Sequence, residues 1–255
     1  MKLITYNVNG IRAATKKGLF EWVKEVDPDV MCFQETKAQP DQVDLAKLID
    51  AGYHDYWFSA EKKGYSGVLT LSKQKAKQVS TGIGVDQHDS EGRVLQTDFG
   101  KWTLLNCYFP SGSSSEDRHA VKMQFLYDLR PWINKLLKKQ KKIILVGDYN
   151  IVHQDIDIHN PTRKDKPSGF RPEEREWLDQ WFKSDFKDAF RLIHPDITDE
   201  FSWWSYRAGS RPRNKGWRID YISVSNPLAK KVKSSGHHHD AVHSDHCPVW
   251  VEIDI

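Results

Sequence analysis

The sequence predicts an α/β layered sandwich, and three observations carry that prediction. Short runs rich in β-branched and aromatic residues recur from one end of the chain to the other. Amphipathic helical stretches fall between some of them without strict alternation, which argues against a barrel. No Pro/Gly/Ser-rich linker and no repeat of solenoid length divides the 255 residues, so a single domain spanning 1–255 is expected.

The elements follow in order. Leu3-Ile4-Thr5-Tyr6-Asn7-Val8 reads as a first strand. A helical pattern over 18–26 stops at Asp27-Pro28, because the residue before proline is steered away from helical backbone angles. Strand-like runs then occupy 30–33, 67–71, 94–99, 102–108 and 143–146, each bounded by turn formers. Residues 116–139 form a long amphipathic stretch that opens on Glu116 and Asp117 and closes on Lys138 and Lys139, complementing a helix dipole. A helix over 171–183 opens with Pro172 and an acidic turn, and carries Trp177, Leu178, Trp181 and Phe182 at helical spacing. Runs at 219–224 and 248–253 complete the strands. Residues 154–171 lack apolar periodicity and read as a long functional loop.

Composition narrows the class. Apolar content is ordinary and the net charge is +3, so a polyanionic partner is permitted but must be met by local charge. Cys32, Cys107 and Cys247 are an odd, widely spaced set without zinc spacing. Buried free thiols in a reduced, cytoplasmic setting are expected, nucleoid-associated if the source is bacterial. No apolar run is long enough to cross a bilayer, and the chain opens on a strand rather than a signal sequence. The lysine clusters at 138–142 and 230–233 read as solvated faces. His237-His238-His239 reads as a solvated loop, because adjacent histidines in extended chain point different ways.

Oxygen-bearing side chains fall in a telling pattern. Asn7 and Asn9 follow the first strand, Glu35 follows the second, and Asp148 and Asn150 end the run beginning at Ile143. Asp220 opens another strand, and Asp245-His246 precedes the last. Such groups can meet at one edge of packed sheets, where carboxylates and amides without a Cys/His set suit a hard cation. Taken singly, each has a plainer reading: Gly147-Asp148-Tyr149-Asn150 is a turn, Glu35 a cap, Tyr108 a packing aromatic.

Together these segments are specific. Tyr6-Asn7-Val8-Asn9-Gly10, Gln34-Glu35-Thr36-Lys37, Gly64-Tyr65-Ser66-Gly67-Val68, Asn106-Cys107-Tyr108-Phe109-Pro110, Gly147-Asp148-Tyr149-Asn150, Gly216-Trp217-Arg218-Ile219-Asp220-Tyr221 and Ser244-Asp245-His246-Cys247-Pro248 resemble, in order, the signature blocks of the exonuclease III family of abasic-site endonucleases. The resemblance spans essentially the whole chain and implies a four-layer α/β sandwich with its active site at one end of two packed sheets. It implies a magnesium-dependent nuclease, with manganese able to substitute, acting on double-stranded DNA with abasic sites or blocked 3′ ends. Glu35 would be the main metal ligand, helped by Asn7 and Asp245. Asp148 would deprotonate the attacking water, with Asn150 beside it binding phosphate or metal. His246, paired with Asp220, would stabilise charge on the phosphate, and Tyr108 would sit near the leaving group. Asn9 stands where some family members have aspartate, one negative charge fewer.

For substrate choice, the resemblance places Trp203, Trp217 and Ile219 around an apolar pocket that admits a sugar without its base. Trp204 is expected to be packing. Arg12, Lys37 and Tyr65 are expected to contact the DNA backbone, as could the 111–118 loop and the segment carrying Arg211 and Arg213. A monomer is expected.

Overall fold

The computed structural model describes residues 1–255. Twelve strands are present: β1 (Lys2–Asn7), β2 (Val30–Gln34), β3 (His54–Phe58), β4 (Val68–Ser72), β5 (Gln78–Thr81), β6 (Val94–Asp98), β7 (Thr103–Tyr108), β8 (Ile143–Asp148), β9 (Phe186–Asp188), β10 (Asp220–Ser225), β11 (Val232–His237) and β12 (Val249–Ile253). They form two six-stranded sheets, ordered β11-β12-β1-β2-β4-β3 and β5-β6-β7-β8-β10-β9. Each sheet is mixed, with one parallel pair at its heart: β1 beside β2, and β7 beside β8.

Period-two alternation explains the layers. On β1, Leu3 packs into a cluster with Cys32, Leu104, Ile144, Val146, Ile222 and Val251, residues drawn from both sheets. Its neighbours Ile4 and Tyr6 point the other way, into a cluster with Ile11, Leu19, Phe20 and Val23 of the flanking helices. On β8 the same alternation sends Ile143 and Leu145 outward, against Phe125, Leu129, Trp177 and Trp181. Successive strand side chains face opposite sides, so both faces of each sheet are apolar and need covering. The result is helix, sheet, sheet, helix.

The helices form where their end signals predict. Helix Glu116–Lys139 is capped by Ser115, whose side chain accepts from the Arg118 amide. Helix Pro172–Lys183 starts at a proline, and Glu174 reaches back to accept from the Arg171 amide at 2.9 Å. Both satisfy amide groups that a helix start leaves unpaired. All three cysteines are buried and unpaired. No helix is long and apolar enough to cross a membrane.

Four strands escape the sequence pattern: β3, β5, β9 and β11. They are the four sheet edges. β5 and β9 span only four and three residues, and β3 and β11 carry exposed polar positions such as His54 and Lys233 that dilute the strand signal. One of them corrects the reading of the histidine run. His237 ends β11 with a wholly buried side chain, so it does not lie in a solvated loop, whereas His238 and His239 follow the strand and His239 is exposed.

Candidate active site

Topology gathers the oxygen-bearing residues. Parallel neighbours deliver their C-terminal ends to the same edge, which places Asn7 beside Gln34 and the following Glu35, and Tyr108 opposite Asp148. Antiparallel neighbours deliver their starts there: Asp220 pairs in register with Asp148, and β12 enters beside Thr5, just after Asp245 and His246. Toward this edge the face between the sheets turns polar. Gln34 donates to Thr5 at 2.9 Å and to Asn106 at 2.7 Å, a polar network leading to the carboxylates. Left-handed backbone also concentrates here, at Asn9, Glu35, Lys37, Ser66 and Asn150. Such angles cost non-glycine residues about 1–3 kcal/mol each and persist where surrounding contacts hold them. Gly147 has φ 135°, and a Cβ there would lie 1.8 Å from the Cys107 carbonyl oxygen. Only glycine lets Asp148 reach this position.

Asp148 is the hub. Its Oδ2 accepts from Asn7 Nδ2 at 2.8 Å, across the two sheets, and from Asn150 Nδ2 at 3.1 Å, while its Oδ1 accepts from the Asn150 amide at 2.7 Å. His246 Nε2 lies 3.9 Å from Asp148 Oδ2, and its Nδ1 bonds Asp220 Oδ2 at 2.8 Å. Ser202 donates to that same Asp220 oxygen at 2.7 Å, leaving Asp220 Oδ1 without a partner. Asn7 also donates to Glu35 Oε2 at 3.1 Å, and Asp245 accepts from Asn9 and from the Trp203 indole, each at 3.0 Å. Burial, then the Asp220 charge, push Asp148 up to about 7, against the pull of His246 and the amide donors. Burial alone would depress His246, but Asp220 and then Asp148 and Asp245 overcome it and raise it to about 10. The proton of this trio therefore resides on His246. Burial, with Glu35 and Asp148 nearby, holds the Tyr108 hydroxyl well above its usual range, so it stays protonated.

A model of the Endonuclease/Exonuclease/phosphatase family matches residues 4–246. The chain belongs to that family. It is 44% identical over 256 residues to an exodeoxyribonuclease of Bacillus subtilis strain 168, covering all of both chains. It is 35% identical over 258 residues to a DNA-(apurinic or apyrimidinic site) endonuclease of Dictyostelium discoideum, covering all of this chain and 71% of that protein. Among solved structures, a Neisseria 3′ phosphatase bound to product DNA hairpin superimposes with a TM-score of 0.92 at 27% identity, covering all of both chains. The chain is thus a hydrolytic nuclease of the exodeoxyribonuclease III/abasic-site endonuclease type.

The donors of this family member suit a divalent cation. Glu35, Asp148 and Asp245 offer hard carboxylate oxygens at one edge with the Asn7 and Asn150 amides beside them, and Asp148 lies within ligand reach of Asp220 and His246. The unpartnered Asp220 oxygen marks acceptor capacity that a cation or its water could take up. In the structure Lys37 meets part of the carboxylate charge, 2.8 Å from Glu35 Oε1 and 2.7 Å from Asn9 Oδ1. Asn7 turns its amide nitrogen toward Glu35 and Asp148, since its oxygen accepts from the Asn9 amide.

The site opens into a cleft of about 470 Å³ lined by Glu35, Tyr108, Asp148, Asn150, Asp245 and His246 together with Trp203, Trp217 and Ile219. The two indoles meet edge to face at 5.7 Å and pack on Val152, Ile158, Phe170 and Ile219. Arg163 and Ser168 also line it, so the 154–171 segment does reach the site. Trp204 is packing, as expected. A larger groove, about 760 Å³, lies at the opposite edge beside Met1, Phe99 and Ile255 and holds none of these groups.

Arg12 and Lys37 share a neighbouring groove with Lys16 and Gly64. Tyr65 lies in a polar knot with Arg118 at 3.1 Å and Arg93 at 3.3 Å. Arg211 turns inward, donating to the carbonyls of Ser244, His246, His239 and Ala241, and so braces the turn that carries Asp245 and His246. Sequence reasoning missed the supporting residues. Arg93 is buried behind Tyr108, donating to its carbonyl at 2.9 Å with the guanidinium over the ring. Lys122 and Glu174 form a buried pair at 2.6 Å, and Lys122 also holds the Asn150 carbonyl at 2.7 Å. Charged residues inside amphipathic helices look solvated in sequence; only tertiary packing buries them.

Proposed function

We propose that this chain hydrolyses the backbone of double-stranded DNA on the 5′ side of abasic sites, using Mg2+, with 3′–5′ exonuclease and 3′-end-cleaning activity alongside. We further propose that residues 1–255 act as one catalytic unit and as a monomer. One observation carries the reading: Asp148 and His246, the latter held by Asp220, line the same cleft as the apolar Trp203, Trp217 and Ile219.

The chemistry fits those neighbours. A phosphodiester is anionic and repels a nucleophile, so hydrolysis needs a base, donors for the developing charge and a cation. Glu35, with Asn7 and Asp245, would hold Mg2+, which when bound supplies positive charge against the phosphate and readies water for attack. Asp148 accepts a proton from the attacking water, with a pKa near 7 that suits a base working at neutral pH. His246, held protonated by Asp220, donates to a phosphate oxygen, and Asn150 adds an amide donor beside it. The Tyr108 hydroxyl faces the leaving group. Arg12, Lys37 and Tyr65 would contact flanking phosphates. The indole wall accepts a bare sugar, whereas an attached base would collide with it.

The test is a duplex carrying one stable abasic analogue, beside an intact duplex and a 3′-phosphate end. A nick 5′ to the lesion in Mg2+, abolished by EDTA, is expected. Equal cleavage of the intact duplex would make the protein a general nuclease, and EDTA-insensitive cleavage would remove the metal from the account.

A further inference from the structure

Away from the active-site cleft, Glu200, His237 and His239 present one donor atom each, all within 4.8 Å of one another. His237 sits at the end of β11 with its side chain wholly buried, and neither ring nitrogen has a hydrogen-bond partner. Its Nδ1 lies 3.2 Å from Glu200 Oε2 without the alignment of a hydrogen bond. His239 Nε2 lies 3.5 Å from that same oxygen and 3.0 Å from the Phe201 carbonyl, its other contact. The two imidazoles stack nearly parallel, 5.5 Å apart.

A buried imidazole whose Nε2 meets no partner and whose Nδ1 meets only the Glu200 carboxylate leaves hydrogen-bonding capacity unused, and a group left so costs about 1–3 kcal/mol; its placement beside a carboxylate and a second imidazole calls for a ligand. A tetrahedral zinc ion with bonds of about 2.0–2.1 Å spaces its donors by about 3.3 Å. The two donor separations at Glu200 straddle that value. Two imidazoles and one carboxylate, with water able to reach the half-exposed His239, match a zinc-type site far better than a magnesium site. Burial also holds His237 below its ordinary pKa, which keeps the ring neutral and ligand-ready. Of the two nearby guanidinium groups, Arg218 is neutralised by Asp157 and Asp188, and Arg211 is spent on backbone carbonyls, His239's among them.

We propose that Glu200, His237 and His239 form a second metal site, selective for zinc or a similar borderline transition metal. Its place in the fold gives it a consequence. Glu200 directly precedes Phe201, Ser202 and Trp203, the segment that bonds Asp220 and lines the cleft, whereas His237 ends the edge strand of the other sheet and His239 lies in the turn that follows it. An ion bridging them would clip the cleft wall to that edge. Binding requires His239 to give up its bond to the Phe201 carbonyl, leaving that oxygen to the Cys247 thiol at 3.6 Å.

Cobalt(II), titrated into the full chain in excess Mg2+, tests this, because tetrahedral cobalt absorbs visible light strongly and six-coordinate cobalt weakly. One saturable equivalent with a tetrahedral band is expected, displaced by zinc, with the thermal midpoint raised by zinc. Glu200→Gln and His239→Ala, both partly exposed positions that leave the fold and Mg2+-dependent nicking intact, should lose the band and the zinc shift. Absence of a saturable band overturns the proposal. So does a band that survives both variants, or one that disappears in Glu35→Gln, which would place the ion in the active site.

Discussion

Replacing Asp157 with asparagine should destabilise the protein and loosen the cleft wall together. Asp157 is fully buried and accepts from Arg218 at 2.8 and 3.1 Å and from Arg191. Arg218, also buried, has one further carboxylate, Asp188, at 2.8 Å. Its own amide donates to the Asp157 carbonyl at 2.8 Å, and Ile158 bridges Trp217. The network thus fixes the strand segment between Trp217 and Ile219. Burial alone would raise the Asp157 pKa, but Arg218 and then Arg191 hold it well below the usual carboxylate range. Breaking a buried pair costs about 3–5 kcal/mol, and the retained amide and Asp188 favour the lower figure. At roughly 2–4 °C per kcal/mol for a chain of this size, the melting midpoint should fall by about 6–12 °C. A depressed carboxyl contributes stability above its unfolded pKa of about 3.9 and loses it as pH falls through the lower folded value. The gap between parent and variant should therefore be widest near neutrality and close in acid. Thermal melts across pH measure this, with steady-state kinetics on an abasic duplex at a temperature where both are folded. KM should rise more than kcat falls. An unchanged midpoint at pH 7, or a gap that widens in acid, would refute the assigned charge pairing.

The other expectations bear on the site itself. Asp148→Asn should cut cleavage by at least about 10²–10⁴-fold, the usual contribution of a positioned base, while abasic-DNA binding remains measurable by gel shift. A variant near the parent rate would remove Asp148 from that role. Asp220→Asn should lower kcat by about 10–150-fold, matching the 1.5–3 kcal/mol of a charge-assisted hydrogen bond to His246; the same loss in KM rather than kcat would point to binding. Trp203→Ala and Trp217→Ala should each narrow the ratio of abasic to intact-duplex cleavage, read as kcat/KM on the two substrates. A preserved ratio in both would mean that lesion choice lies elsewhere.

How much of this is legible in the sequence depends on burial. The eight central strands announce themselves because Leu3, Val30, Leu104 or Ile144 must fill an interior. The edges β3 and β11 do not, because exposed positions such as His54 and Lys233 satisfy no core. The candidate site is legible as an arrangement, because strand direction brings together the ends that carry Glu35, Asp148, Asp220 and His246. Its scaffolding is not. Ser202, Arg93, Lys122 and Arg211 act through partners distant in sequence, and each looks like an ordinary surface residue until the partner is known. The same holds for His237, whose buried ring becomes meaningful only beside Glu200.

Crystals soaked in Mn2+ and measured for anomalous scattering put the central idea to its sharpest trial. A manganese peak about 2.0–2.6 Å from the Glu35 carboxylate, within the cleft that Trp203 and Trp217 enclose, is the expected result. A well-occupied peak elsewhere, with none beside Glu35, would contradict it.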